Sequence, residues 1–220
     1  MKKSLLASAA TFVAAAALVF GLVTPASAST WNAQIAPPSS ITLNPNIGDP
    51  QTFPLGAPPT ETPPPECGVG PWEPTVLPLN FDNDTAPTSV SASFSFPPFA
   101  MDIAALGGWK RVEITNVAFS GTVNPTTGAM SGITGTANVT FKTCGPGFPT
   151  ECATNATIGT PAAGTGTMTP EPPITSATTG TLNAEGVLAT TAGCDFTYVV
   201  GLNGATFNLG LAWALEPIFV

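Results

Sequence analysis

The sequence predicts an all-β protein: an antiparallel β-sandwich of about eight or nine strands, with a closed β-barrel as the alternative, preceded by a cleaved signal helix and a Pro-rich arm. Three observations carry that prediction. With Gly 22, Pro 25 and only 8% charged residues in 220, the composition is poor in helix formers and rich in turn formers. Several runs alternate between apolar residues and Ser, Thr or Gly, the period-2 pattern of strands with one buried face. Turn signals such as Asn124-Pro125-Thr126-Thr127-Gly128 and Asn203-Gly204 separate those runs.

Residues 1-28 have the layout of a secretory signal peptide. Lys2-Lys3 is the charged start, Leu5 to Val23 the apolar run, and Ala26-Ser27-Ala28 the small-residue cleavage site. The mature chain then begins at Ser29, and a secreted protein is expected, extracellular or associated with the cell surface. Pro25 and the Ala-x-Ala sequence end the apolar run as a signal ends, so no integral membrane protein is expected after cleavage. In the processed chain three cations, Lys110, Arg111 and Lys142, face 13 acidic residues, a net charge of −10. Phosphate binding is driven by Lys and Arg, so nucleic acid is an improbable partner.

Residues 29-76 read as a Pro-rich extended arm, with clusters at Pro37-Pro38, Pro58-Pro59 and Pro63-Pro64-Pro65. Proline removes ladder donors, so only short edge strands such as Ser40 to Leu43 are expected there, and Trp31, Phe53 and Trp72 are candidates to pin the arm to the body.

The all-β domain is assigned to residues 77-220. Leu77, Leu79 and Phe81 share one face, and Pro78 marks their strand as an edge. From Thr88 to Phe96 apolar residues alternate with serines, and Pro97-Pro98 ends the run. Phe99 to Leu106 reads as a short helical turn or a loop. The dominant feature is a long hairpin from Val112 to Phe141, whose apolar phase shifts between Ile114 and Val117 and so predicts a bulge near Thr115-Asn116. From Thr154 to Pro173 one strand near Gly164 to Thr169 is expected. A second hairpin is expected from Ile174 to Leu182 and Val187 to Val200, because Gly180-Thr181-Leu182-Asn183 repeats Gly121-Thr122-Val123-Asn124 in pattern. In the last strand, the odd positions from Ala205 to Leu215 are all apolar, and its expected partner is Cys194 to Val200.

An even count of four cysteines in an exported chain favours two disulfides over zinc or thiol chemistry. The expected pairing is Cys144 with Cys152, across a turn-rich loop, and Cys67 with Cys194 as the long staple.

The absence of His removes the commonest general base and rules out Ser-His-Asp and Cys-His arrangements. Carboxylate pairs for glycoside hydrolysis could come from Asp82 with Asp84, or Glu113 with Asp195, but nothing around them makes a sugar cleft. No catalytic residue, no cofactor and no enzyme activity is assigned. Asp82-Asn83-Asp84 supplies hard oxygen ligands of the kind Ca²⁺ takes, without the Gly and distant Glu of an EF-hand. Trp109-Lys110-Arg111 is the one cationic and aromatic cluster, suited to an anionic glycan or a lipid head group.

In overall manner the chain resembles short secreted β-rich surface or matrix proteins of bacteria, with a signal peptide, Gly-Thr strands, few charges and isolated disulfides. The missing catalytic groups, the low-charge Thr and Gly surface, the extended arm and the all-β disulfide body lead to an expected role in non-enzymatic adhesion or structural interaction, with cell-wall or matrix components, glycans among them, as partners. Two alternatives remain. One is a carrier of small apolar ligands, with a cavity lined by Phe94, Phe96, Phe119, Phe141, Phe196 and Phe207. The other is an outer-membrane barrel, for which Phe207, Leu209, Leu211 and Trp213 would face lipid.

Overall fold

The computed structural model describes residues 29–84, 87–145, 151–170, 177–190 and 194–215; the expected signal helix lies outside them. Eleven antiparallel strands form one sheet. They are β1 (Ser29–Asn44), β2 (Gln51–Pro54), β3 (Val76–Asp82), β4 (Thr88–Phe94), β5 (Phe99–Ile103), β6 (Gly108–Val123), β7 (Ala129–Thr143), β8 (Glu151–Ile158), β9 (Gly164–Pro170), β10 (Ala177–Thr190) and β11 (Thr206–Leu215). Among the described residues one short α-helix, α1 (Phe196–Leu202), precedes β11.

The hydrogen-bonded path runs β6-β4-β3-β1-β11-β10-β8-β7 and returns on itself through the β6–β7 ladder. It is not a clean barrel. β1 is flanked on one side by β3 over its first half and by β2 over its second. β6 is flanked in the same way by β5 and then β4, and β8 and β9 share the gap between β7 and β10.

Inward-facing residues from all sides build one core, including Ile35, Leu79, Val90, Val112, Phe141, Leu182 and Trp213. The alternating burial of β8 shows how it is assembled: Cys152, Thr154, Ala156 and Ile158 point in, and Glu151, Ala153, Asn155 and Thr157 point out.

The central hairpin forms as its sequence requires. Asn124 Oδ1 accepts from the Thr126 and Thr127 N–H groups at 2.9 and 3.1 Å, and Gly128 takes φ 70°. The expected bulge is present, with a register shift between Thr115 and Ala118 and Asn116 at φ 51°.

Four expectations are corrected. Residues 29–44, where only short edge strands such as Ser40 to Leu43 are expected, form the long internal strand β1 between β3 and β11, so the division at residue 76 does not separate an arm from the sheet. Pro37-Pro38 is tolerated because it falls in the register break between Ala36 and Ser40, where the β1–β11 ladder needs no donor. β3 is internal rather than an edge; its Pro78 opposes Asn32 of β1, and the ladder to β4 begins only at Leu79.

The second hairpin is absent. Residues 177–190 run straight through as β10, with Asn183 and Glu185 outward and opposite β11. Finally, the expected partner strand at 194–200 is largely α1. Asp195 caps it, its Oδ1 accepting from the Thr197 and Tyr198 N–H groups at 3.0 and 3.2 Å. β10 and β1 are the neighbours of β11 instead.

Candidate interaction surface

All four cysteines are paired, but as Cys67–Cys144 and Cys152–Cys194. The expected Cys144–Cys152 bridge fails for a reason of register. Cys152 opposes Phe141 in the β7–β8 ladder and, like Phe141, points into the core, where Cys194 meets it. Cys144 lies three residues further on and donates its N–H to the Trp109 carbonyl at 3.2 Å, which leaves it open to Cys67 from the segment between β2 and β3. Two disulfides fit an oxidising compartment.

The phase of β6 disperses the one cationic and aromatic cluster. Lys110 shares the inward phase of Val112 and Ile114 and is 2% exposed, its Nζ reaching only the Gly108 and Trp109 carbonyls at 3.3 and 3.5 Å. Burial pushes its ammonium below the usual lysine range, with Asp102 and Asp195 pulling the other way. Arg111 turns outward and pairs with Glu113 at 2.8 Å, and Lys142 pairs with the same carboxylate at 3.2 Å. Trp109-Lys110-Arg111 therefore presents no joint anion-binding face.

The carboxylate pairs are also committed locally. Asp82 Oδ1 accepts from the Asp84 N–H at 3.0 Å, an Asx-type turn, and no group of three or more His, Cys, Asp or Glu poised for a metal occurs among the described residues. Partial burial pushes the Glu113 carboxyl up, but hydrogen bonds from Lys142 and Arg111, together with their charges, hold it below the ordinary value. Asp195 is occupied by the α1 cap.

Of the phenylalanines proposed to line a cavity, Phe96, Phe119, Phe141 and Phe207 are buried and Phe94 packs edge-on against Phe96 at 5.1 Å. Phe196 instead is 81% exposed on α1. The apolar void left between these strands is about 40 Å³, against the roughly 300 Å³ or more of a small-molecule pocket. Side chains fill the interior.

Phe207, Leu209, Leu211 and Trp213 are all buried inside the ring, while the exposed Thr206 and Asn208 face out. This is the inverse of a lipid-facing strand, which turns its apolar side outward. No described helix is long and apolar enough to cross a membrane.

The outer surface is built from the other half of the alternation. Cross-strand rows put Asn80, Ser91, Ser120 and Thr134 side by side over β3, β4, β6 and β7, and Asp82, Ser89, Thr122 and Ser131 in the next row. The first row lines a shallow open depression of about 660 Å³ that continues over Thr136 and Thr157. Gly135 sits in its floor because a Cβ there would overlap the Ala118 carbonyl and the Phe119 backbone. Most residues of these rows are Ser, Thr or Asn, whose hydroxyl and amide groups can both donate and accept, set on an apolar floor that includes Ala92, Ala118 and Phe119. Sequence reasoning identified β3, β4, β6 and β7 but neither β8 nor the depression, which forms only when successive pairings bring Asn80 and Thr157 onto one face. No family model, curated protein or solved structure matches this chain.

Proposed function

We propose that this is an exported, non-enzymatic protein of the cell surface or extracellular matrix, acting by adhesion or structural interaction. The observation that carries the reading is the outer face over β3, β4, β6 and β7, where rows of hydroxyl and amide side chains, with Asp82 at one end, surround an open depression. Hydroxyl rows of this kind suit hydrogen bonding to hydroxylated polymers, and cell-wall or matrix glycans are the partners we assign to it. The signal-like residues 1-28 and the two disulfides support an address outside the cytoplasm.

The test is expression of the full chain in a bacterial host, with the protein followed through medium, cell wall and membrane fractions and then offered to washed wall and matrix preparations. Association with wall or matrix, weakened when Ser120 and Thr134 are replaced by bulky Gln, is the expected result. A freely soluble protein that ignores these polymers, or one that turns over a substrate, would remove the reading.

A further inference from the structure

Between β2 and β3 the chain folds back over the sheet and is fastened there. The Leu55 N–H donates to the Ser39 carbonyl at 2.8 Å, Cys67 is bonded to Cys144, Arg111 Nη1 donates to the Gly68 carbonyl at 2.5 Å, and the Ile35 N–H donates to the Thr75 carbonyl at 2.9 Å. Beneath this strap run two adjoining clefts of about 260 and 140 Å³, which share Phe53, Pro59, Glu61 and Ala100 as lining. The larger adds Trp72, Glu73 and a wall of prolines, and the smaller adds Trp109 and Asp102. Phe53 stacks on Phe99 at 4.1 Å to make a rigid apolar floor.

The charge of this groove is one-sided. Three carboxylates line it and no Lys or Arg does. Among the described residues Arg111 and Lys142 are both engaged with Glu113, and Lys110 is turned into the core, where it offsets Asp102 alone of the three. Glu61 and Glu73 are exposed carboxylates that form no ion pair with any cation among the described residues. Such a lining asks for a ligand that donates, is positively charged, and has an apolar stem to lie against proline and indole. Lys and Arg side chains meet all three conditions, having donors only and an aliphatic stem, and an indole face attracts their charge. A neutral sugar could donate its hydroxyls to these carboxylates but would leave their charge uncompensated.

We infer that the groove beneath the strap is a docking site for a basic segment of a partner polypeptide, with a Lys or Arg side chain laid along Trp72 and held by Glu61 and Glu73. The larger cleft has room for one such side chain, and the smaller, with Trp109 and Asp102, for a second. The site is separate from the hydroxylated outer face and does not depend on the adhesion proposed for it.

The experiment uses the disulfide-intact mature chain and the labelled peptide acetyl-Pro-Lys-Pro-Lys-Pro-amide, with its Gln-for-Lys twin as control, followed by fluorescence anisotropy at about 150 mM salt, where long-range attraction is screened. The Lys peptide is expected to bind and its twin not to. Glu61→Gln with Glu73→Gln is expected to weaken binding about ten-fold or more. Glu66→Gln with Glu185→Gln, which removes the same charge from exposed positions outside the groove, is expected to change it less than about two-fold. Equal losses in the two double variants, or no binding of the Lys peptide, would overturn the proposal while leaving the wall-association test unaffected. The unfolding midpoint of each variant, measured in parallel, separates lost binding from lost fold.

Discussion

Arg111 ties the strap to the sheet: its Nη1 donates to the Gly68 carbonyl at 2.5 Å while its Nε is held by Glu113 Oε1 at 2.8 Å. The guanidinium fork thus joins β6 to the residue after Cys67, so a hydrogen bond and the Cys67–Cys144 bridge fasten the same point. Arg111→Met keeps the stem and removes the donors. It is expected to cost about 1–2 kcal/mol and to speed amide exchange in the strap while the β6–β7 ladder stays protected. Unchanged exchange in the strap would show that the disulfide alone holds it.

Glu113 gives that tether a pH dependence. A carboxyl held below its usual value of 4.5 contributes stability that is present above that value and is lost as the pH falls through the lower folded-state value. The wild type is expected to exceed Glu113→Gln in stability by up to about 1 kcal/mol at neutral pH, with the two curves converging below pH 4.5. Curves that stay parallel into acid would mean that the carboxylate's charge plays no part.

Lys110 works in the opposite sense. For a base whose folded-state pKa lies below its unfolded value of 10.5, the burial cost is complete at pH below the folded value and fades as the pH rises toward 10.5. Its two carbonyl contacts, at 3.3 and 3.5 Å, are long and offset little of that cost. Lys110→Met is expected to raise the thermal midpoint at pH 7, with the gain shrinking in alkali. A lower midpoint for the Met variant at neutral pH would refute this account of the site.

Gly180 is required by Trp213. A Cβ on Gly180 would overlap the indole of Trp213 on the neighbouring strand, whereas at Gly210 the nearest atom lies 3.5 Å away, an ordinary contact. Gly180→Ala is expected to destabilise by about 1–3 kcal/mol or more, with Gly210→Ala near neutral, as read by urea unfolding. Equal effects would mean that β10 and β11 shift to make room.

Period-2 reasoning found part of the sheet and missed β5, which was expected as a helical turn or loop, and β8, for which no strand was expected. β4, β6, β7 and β11 carry their alternation openly, and the bulge at Thr115-Asn116 announced itself by a change of phase. β1 was hidden because Pro37-Pro38 breaks its pattern, and only the register break opposite β11 shows why the sheet accepts it. β10 imitated a hairpin because its Gly186 looks like a turn residue, although that glycine makes room for the Phe207 ring. α1 was legible after all in Asp195, whose cap outweighed the β-propensity of Phe196, Val199 and Val200. The candidate surfaces were less visible, since the outer depression and the strap groove each join segments brought together only by strand order.

The segment between β2 and β3 belongs to the folded body, fastened by Cys67 to Cys144, and Cys152 closes on Cys194. On the chain-entropy estimate, loops of 77 and 42 residues make each bridge worth about 4 kcal/mol. Digestion of the non-reduced mature protein after glutamate, which cuts between Glu151 and Cys152, followed by mass spectrometry of the linked peptides, tests it directly. Peptides joined as Cys67 with Cys144 and Cys152 with Cys194 are expected. Peptides joining Cys144 to Cys152, or Cys67 recovered as a free thiol, would contradict it.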